Sequence, residues 1–226
     1  YDVHGGAIDL IFPHHEAEIA QMESISGKKP FVRYWIHTAF LNINKEKMSK
    51  SLGNFITIKE AIKKYNPRVI RYFFISSHYR TTIDFSYNVL EQSKNSLERL
   101  DNFILSLKES NEKEDLELIK KTKDDFIEAM NDDFNTPQAF AVIFNFMRDV
   151  NKTSGGKNSY KLMLEFDKIF DLNWKKLKKP KLENKITKLL KERELARKNK
   201  DYKKADLIRG KLNKIGIIIE DTKEGI

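Results

Sequence analysis

The 226-residue chain contains no cysteine. That excludes a disulfide framework in this stretch and fits a reducing compartment, for which the cytoplasm is the default expectation. No run approaches the ~18 consecutive apolar residues of a membrane-spanning helix, so no membrane partner is expected. The opening residues, YDVHGGAIDL, lack an initiating Met and have neither the basic start nor the apolar core of a signal peptide, so the chain reads as beginning inside a larger protein. There is no internal repeat and no low-complexity tract. What remains is a hydrophilic globular composition, 40% hydrophobic and 33% charged, long enough for one or two domains that each bury a core.

The net charge of +9 is unevenly placed. Residues 1–150 hold 20 Lys and Arg against 22 Asp and Glu, whereas residues 151–226 hold 22 against 11. The basic character therefore belongs to the C-terminal third. Such a surface reads either as a solvated lysine-rich helical face or as one that meets phosphates and releases their counterions.

Hydrophobic patterning separates α/β from mainly α. Up to about residue 45, the apolar runs AIDLIF and YWIHTAFLNI flank a helix-like stretch, HEAEIAQMESI, that ends at Ser26-Gly27. That order signals an α/β unit. From residue 57 the pattern is helical. Thr57 and Glu60 form a capping-box pair, Asn66-Pro67 opens the next helix, and Thr136-Pro137 repeats the device before a helix with Phe140, Ile143, Phe144 and Met147 on its core face. Val89, Leu97, Leu100, Ile104 and Leu107 trace a long amphipathic helix, and the antiparallel helices together suggest a bundle. SGGKNS, at 154–159, reads as a loop, and KKLKKPK, at 175–181, as an exposed linker. Two further helices, near 183–199 and 201–215, with Gly216 as a stop and a short strand at IIIE, make a small separate module.

The chemistry-bearing stretch is NINKEKMSKSLGN, residues 42–54. Lys47 and Lys50, with Ser49 and Ser51 as hydrogen-bond donors, can gather around a polyphosphate and favour negative charge developing on departing pyrophosphate. Two lysines in a loop are more often merely solvated. A second candidate is PHHEAE: in a helix starting near Pro13, His14 and Glu18 at i and i+4 share a face and can bind one metal ion, although such pairs are more often surface hydrogen bonds.

Lys47-Met48-Ser49-Lys50-Ser51 matches the KMSKS signature of class I aminoacyl-tRNA synthetases, and the stretches around it match further. HGGAIDLIFPHHEAEIAQ, YWIHTAFLNINKEKMSKSLGNF, RYFFISSHYR, MNDDFNTPQAFAVIF and ARKNKDYKKADLIRGKLNKIGIIIEDTKEG all resemble cysteinyl-tRNA synthetase, in that family's order and over the whole chain. The resemblance is to its C-terminal half. It implies the end of a Rossmann-type catalytic domain with the KMSKS loop and stem-contact region (1–88), a helix-bundle tRNA-binding domain (89–175) and a small basic anticodon-recognition module (176–226).

The resemblance also implies an activity: activation of cysteine by ATP with Mg to cysteinyl-adenylate, then transfer to tRNA(Cys), by a monomer. Lys50, assisted by Lys47, would contact phosphates; His4, Gly5, Gly6, Asp9, Met48, Ser49, Lys50 and Ser51 would form the ATP-binding set. Ala7 stands where the family has a third glycine. One zinc would be held by His14, Glu18 and two cysteines outside this chain, and would select cysteine over serine because sulfur is the softer ligand. His15 and Glu16 could support these ligands by hydrogen bonds, a role assigned to neither. Arg71, His78, Tyr79 and Arg80 would brace the acceptor stem; Asn131, Asp132, Asp133 and Phe134 read equally as a helix-end arrangement. The His-Ile-Gly-His type signature is absent, so the chain alone is expected to show no adenylate chemistry. Two other readings stay open, a non-catalytic tRNA-binding fragment and a related ligase that joins cysteine to an amino sugar.

Overall fold

Pairing of VHGGA with YWIHT organises the first part of the molecule. In the computed structural model, which describes residues 1–48, 56–110, 112–153, 155–179, 184–199 and 201–214, β1 (Val3–Ala7) and β2 (Tyr34–Thr38) lie parallel, with His4 opposite Trp35 and Gly6 opposite His37. The strand is thus not AIDLIF. Residues Ile8–Leu10 form a 3₁₀ turn, and an irregular turn over Ile11–His15 contains Phe12 at extended φ/ψ. Two adjacent glycines are poor strand formers by propensity. Here Gly6 is needed: a Cβ on it would come within 2.7 Å of His15 Cε1 and 3.0 Å of its Nε2. The connecting helix α1 (Glu16–Ser26) ends, as its Ser-Gly sequence predicts, on Gly27 in the left-handed region at φ 65°.

A second small sheet follows. β3 (Leu41–Ile43) pairs antiparallel with β4 (Glu46–Lys47) and parallel with β5 (Ile83–Asp84). Asn44 and Lys45, at φ 51° and 69°, make the tight turn of the β3–β4 hairpin, a left-handed pair suited to the twist of the strands. Asp84 holds that turn by accepting the Lys45 N–H at 2.6 Å. Under this sheet Ile43, Ala61, Phe73, Phe85 and Leu90 form a compact apolar cluster.

Helices then dominate. α2 (Ile58–Lys64) starts on the expected capping box: Glu60 N–H donates to Thr57 Oγ1 (3.2 Å) and Thr57 N–H to Glu60 Oε2 (2.9 Å). α3 (Pro67–Ile75) starts on Asn66, whose Oδ1 accepts from Arg68 N–H at 2.9 Å. Next come β5, already placed in the sheet, and the bundle helices α4 (Tyr87–Glu109), α5 (Leu116–Asn131), α6 (Thr136–Val150) and α7 (Lys157–Phe170). The cap of α6 is Asn135, not Thr136; asparagine is the stronger cap, and Thr136 Oγ1 is left to donate to Ser77 O at 3.4 Å. SGGKNS is only partly loop. Glu114 accepts the N–H groups of Asn158 (2.9 Å) and Ser159 (2.7 Å), so α7 begins at Lys157 on a cap supplied from far along the chain.

The main core lies here. Leu100, Ile104, Ile143, Met163, Leu172 and Trp174 are fully buried in one cluster that also takes Val69 and Tyr72 of α3. Arg68 clamps that junction, bidentate on Asp101 (2.6 and 2.7 Å) with Nε on Leu172 O (2.6 Å). Residues Tyr1–Leu177 form one compact unit and Lys178–Ile226 another. In the latter, α8 (Asn184–Lys198) and α9 (Tyr202–Lys214) form a hairpin closed by Ile208 and Leu212 against Ile186, Leu189 and Leu190. The expected stop at Gly216 and the IIIE strand lie outside the described residues. Among the described residues no helix is long and apolar enough to cross a membrane.

Candidate active site

Parallel pairing places side chains of β1 and β2 on a common face. His4 and Gly6, two residues apart, face the turn that carries His15, and Trp35 and His37 stand beside them on β2. His15 is buried. Its Nδ1 lies 2.8 Å from His37 Nε2, so one of the two nitrogens carries the shared hydrogen. Its ring sits 5.0 Å from that of His4 and 4.8 Å from that of Trp35. Burial pulls the His37 imidazole below its ordinary pKa, and electrostatic interaction with the neighbouring His15, Arg80 and His4 lowers it further.

Glu18, from the first turn of α1, closes the group. Its Oε2 lies 3.5 Å from His4 Nε2, is shielded from solvent and accepts no hydrogen bond. A carboxylate oxygen in that condition costs free energy unless a cation or donor meets it. Ligand atoms of His4, His15 and Glu18 all lie within 4.8 Å of one another, close enough to surround one ion. His14 stands apart from this cluster and is exposed, because regular helix begins only at Glu16.

The other predicted site residues divide into two groups. Gly5 is exposed on the opposite face of β1, where a Cβ would meet Ile36 O at an ordinary 3.6 Å; nothing among the described residues requires its glycine. Asp9 is exposed in the 3₁₀ turn. Lys47 ends β4, paired with Asn42, so the hairpin braced by Asp84 delivers the chain to the lysine loop. Met48 packs against the cluster of Ile43, Phe73 and Phe85 and lines a small apolar cavity of 60 Å³ with Ile56 and Phe74. Ser49, Lys50 and Ser51 lie outside the described residues.

The residues read as stem contacts also separate. Arg71 donates from Nε to Phe170 O at 2.5 Å and so helps to fasten α3 to the end of α7. His78, Tyr79 and Arg80 converge on Asp133 in the α5–α6 turn: Tyr79 Oη and Arg80 Nε each donate to its carboxylate at 2.5 Å. Sequence reasoning missed Trp35, His37 and the Asp133 pairing. The alternation WxH on a strand was a signal for the first two; nothing local announced the third.

Comparison with known proteins follows the same order along the chain. Residues 1–95 match the tRNA synthetases class I (C) catalytic domain, 125–172 the DALR domain, and 179–226 the cysteinyl-tRNA ligase anticodon binding domain. The cysteine–tRNA ligase of Carboxydothermus hydrogenoformans is 43% identical over an alignment of 244 residues that takes in 100% of this chain and 52% of that protein. The chain thus spans about half the length of the curated relative it matches. Among solved structures, a LeuRS of Agrobacterium radiobacter K84 in a ternary complex with tRNA and LeuAMS superposes with TM-score 0.55 at 16% identity, over 72% of this chain and 24% of that one. Mycobacterium tuberculosis methionyl-tRNA synthetase in complex with methionyl-adenylate gives TM-score 0.54 at 21% identity, over 67% and 33%. At these identities the likeness is one of fold.

Proposed function

Since this chain belongs to the cysteinyl-tRNA synthetase family, we propose that it is the C-terminal portion of a cysteine–tRNA ligase, which uses ATP to make cysteinyl-adenylate and transfers cysteine to tRNA(Cys). The observation that carries the reading is the unbroken order of catalytic, DALR and anticodon-binding segments along one chain. In this reading residues 1–88 complete the catalytic domain, 89–175 form the tRNA-binding bundle, and 176–226 hold the anticodon end. An amino-sugar acceptor is disfavoured by the matched anticodon-binding segment.

Residue roles follow from the chemistry each can perform. Lys50, with Lys47, neutralises ATP phosphates and the pyrophosphate that departs; the Asp84-braced hairpin would set the starting point of their loop. Gly5 leaves a bare stretch of strand that a nucleotide can approach, and Asp9 offers its carboxylate to a ribose hydroxyl. His4 lines the same face.

The donor set fits a zinc ion in part. Glu18 Oε2, shielded from solvent and accepting no hydrogen bond, with the His4 ring 3.5 Å away, is a carboxylate oxygen such an ion can meet. His15 is committed to His37 and enclosed by Gly6 and Trp35, whereas exposed His14 can turn to an ion whose remaining ligands come from outside these residues. We therefore assign His14 and Glu18 as ligands and His15 as the packed neighbour that holds the turn. Bound zinc would supply a soft acid for the substrate thiolate.

Cysteine-dependent ATP–pyrophosphate exchange and tRNA(Cys) charging test the proposal. With the preceding half of the protein present, both activities are expected, with Lys50→Ala reducing exchange at least about 100-fold, the scale on which one transition-state contact acts. Residues 1–226 alone are expected to show no exchange. Charging of an amino sugar in place of tRNA, or robust exchange by the 226-residue chain, would overturn the assignment.

A further inference from the structure

Three consecutive side chains of the segment after α3 meet one residue of the α5–α6 turn, Asp133. Asp133 accepts from Tyr79 Oη (2.5 Å), Arg80 Nε (2.5 Å) and Arg80 Nη2 (3.2 Å), while His78 Nε2 lies 3.1 Å from the Asp133 carbonyl oxygen. The rings of His78 and Tyr79 stack at 4.8 Å, and the Arg80 guanidinium lies 5.0 Å over the Tyr79 ring. Arg80 is nevertheless 58% exposed. An exposed arginine normally samples many rotamers; this one is held from behind by a carboxylate and from the side by an aromatic face.

The turn that presents Asp133 is itself costly. Asp133 and Phe134 both occupy the left-handed region, at φ 51° and 54°, which non-glycine residues adopt only when their surroundings over-determine them. Backbone bonds from Phe134 N–H to Met130 O and Asn135 N–H to Ala129 O hold it. On the other side, Ala39 N–H donates to Tyr79 O at 2.9 Å, tying the 78–80 segment to the residue just beyond β2. The arrangement adds to the ties between the matched catalytic segment and the matched DALR segment.

Five N–H bonds radiate from a guanidinium, and Asp133 engages only Nε and Nη2. Among the described residues the Nη1 edge is left for a second, two-oxygen acceptor, and two oxygens of a phosphate match that fork. We infer that Asp133 is a positioning residue that aims Arg80, backed by Tyr79, at a phosphate of the bound tRNA. The inference rests on the tRNA reading above and adds to it the device that orients the contact.

Charge and orientation make opposite demands here, which gives the test its sign. Asp133→Asn removes a negative charge from a surface facing RNA, so electrostatics alone would tighten binding. A positioning role requires the reverse. Asparagine also tolerates the left-handed backbone, so the substitution removes the carboxylate without straining the turn. Binding of a fluorescent tRNA(Cys) to the 226-residue chain, followed by anisotropy across a salt series, is expected to weaken about fivefold to tenfold in Asp133→Asn, the scale of one charge-assisted contact. Arg80→Lys keeps the charge, loses the fork and is expected to weaken binding similarly, which keeps the test open if the Asn variant misfolds. Arg80→Gln should reduce the salt slope by about one. The Asp133→Asn, Arg80→Gln double variant should bind no worse than Arg80→Gln alone. Tighter or unchanged binding in Asp133→Asn, unchanged binding in Arg80→Lys, or additive losses in the double variant would each overturn the inference while leaving the tRNA reading in place. Absence of salt-dependent tRNA binding by the unaltered chain would remove both.

Discussion

Helix α6 of the bundle and helix α1 of the α/β segment are both regular and both carry apolar residues, yet α6 buries seven side chains and α1 buries none. Ile143 on α6 is fully buried; Ile25 on α1 is 81% exposed, and Phe12 in the preceding turn 77%. The bundle is a core held by packing, in which Phe126, Phe140, Phe166 and Phe170 stack among aliphatic side chains. The segment around β1 and β2 is held by the β1–β2 ladder and by contacts among His4, His15, Trp35 and His37. The difference teaches where stability and chemistry reside. Side chains buried at full density have little freedom to meet a ligand, whereas those around β1 remain partly open to one.

That contrast is open to direct challenge. The largest effect is expected from Ile143→Ala, at about 3 kcal/mol from lost transfer energy and an unfilled cavity. Ile25→Ala, at an exposed position, should change stability by less than about 0.5 kcal/mol. Urea denaturation of the two variants measures both, and equal costs would erase the distinction. A smaller loss, about 2 kcal/mol of overpacking, is expected from Gly6→Ala, because the new methyl falls on the His15 ring. His15 must then move, and the coupled His15 and His37 imidazole resonances should shift together in an NMR spectrum. Gly5→Ala, one residue away and exposed, should leave both resonances in place.

The smallest effect concerns one of the contacts between the first part of the molecule and the bundle. Hydrogen bonds from Arg80, then from Tyr79, hold the Asp133 carboxyl down to about 2 from an ordinary 3.8. A carboxylate with a depressed folded-state pKa binds fewer protons folded than unfolded across that interval. Its contribution is therefore fully present above about pH 4 and is lost as pH falls through about 2. Melting temperatures of the unaltered chain and of Asp133→Asn, measured from pH 5 to pH 2, should converge toward the acid end. A gap that stays constant with pH would detach the Asp133 carboxylate from this role.

Helix boundaries were legible wherever the stabilising groups are close in sequence. Thr57 and Glu60 are three residues apart, and Asn66 precedes the proline it serves, so both helix starts could be read directly. Amphipathic spacing likewise identified Leu97, Leu100, Ile104 and Leu107 as core. Legibility failed where the partner is distant. Glu114 caps α7 from more than 40 residues away, which is why SGGKNS read as loop throughout. β1 was hidden because its glycines, unfavourable in isolation, are justified by a histidine that folds back onto one of them. His15, given no role from helix spacing, was likewise hidden, because the irregular turn at Ile11–His15 brings it against Glu18 and His4.

By itself the sequence determined the succession of α/β, bundle and basic terminal segments, the helix caps, and the motifs whose order marks the family. These depend on short-range periodicity and on residue identity, which survive without knowledge of the fold. Only the tertiary structure decided that His4, His15, Trp35, His37 and Glu18 share one space and that Asp133 reaches Arg80. Those meetings depend on strand register and on the packing of elements up to 53 residues apart. Register is chosen by the sum of many weak pairings across the whole interface, so no local stretch of sequence records it.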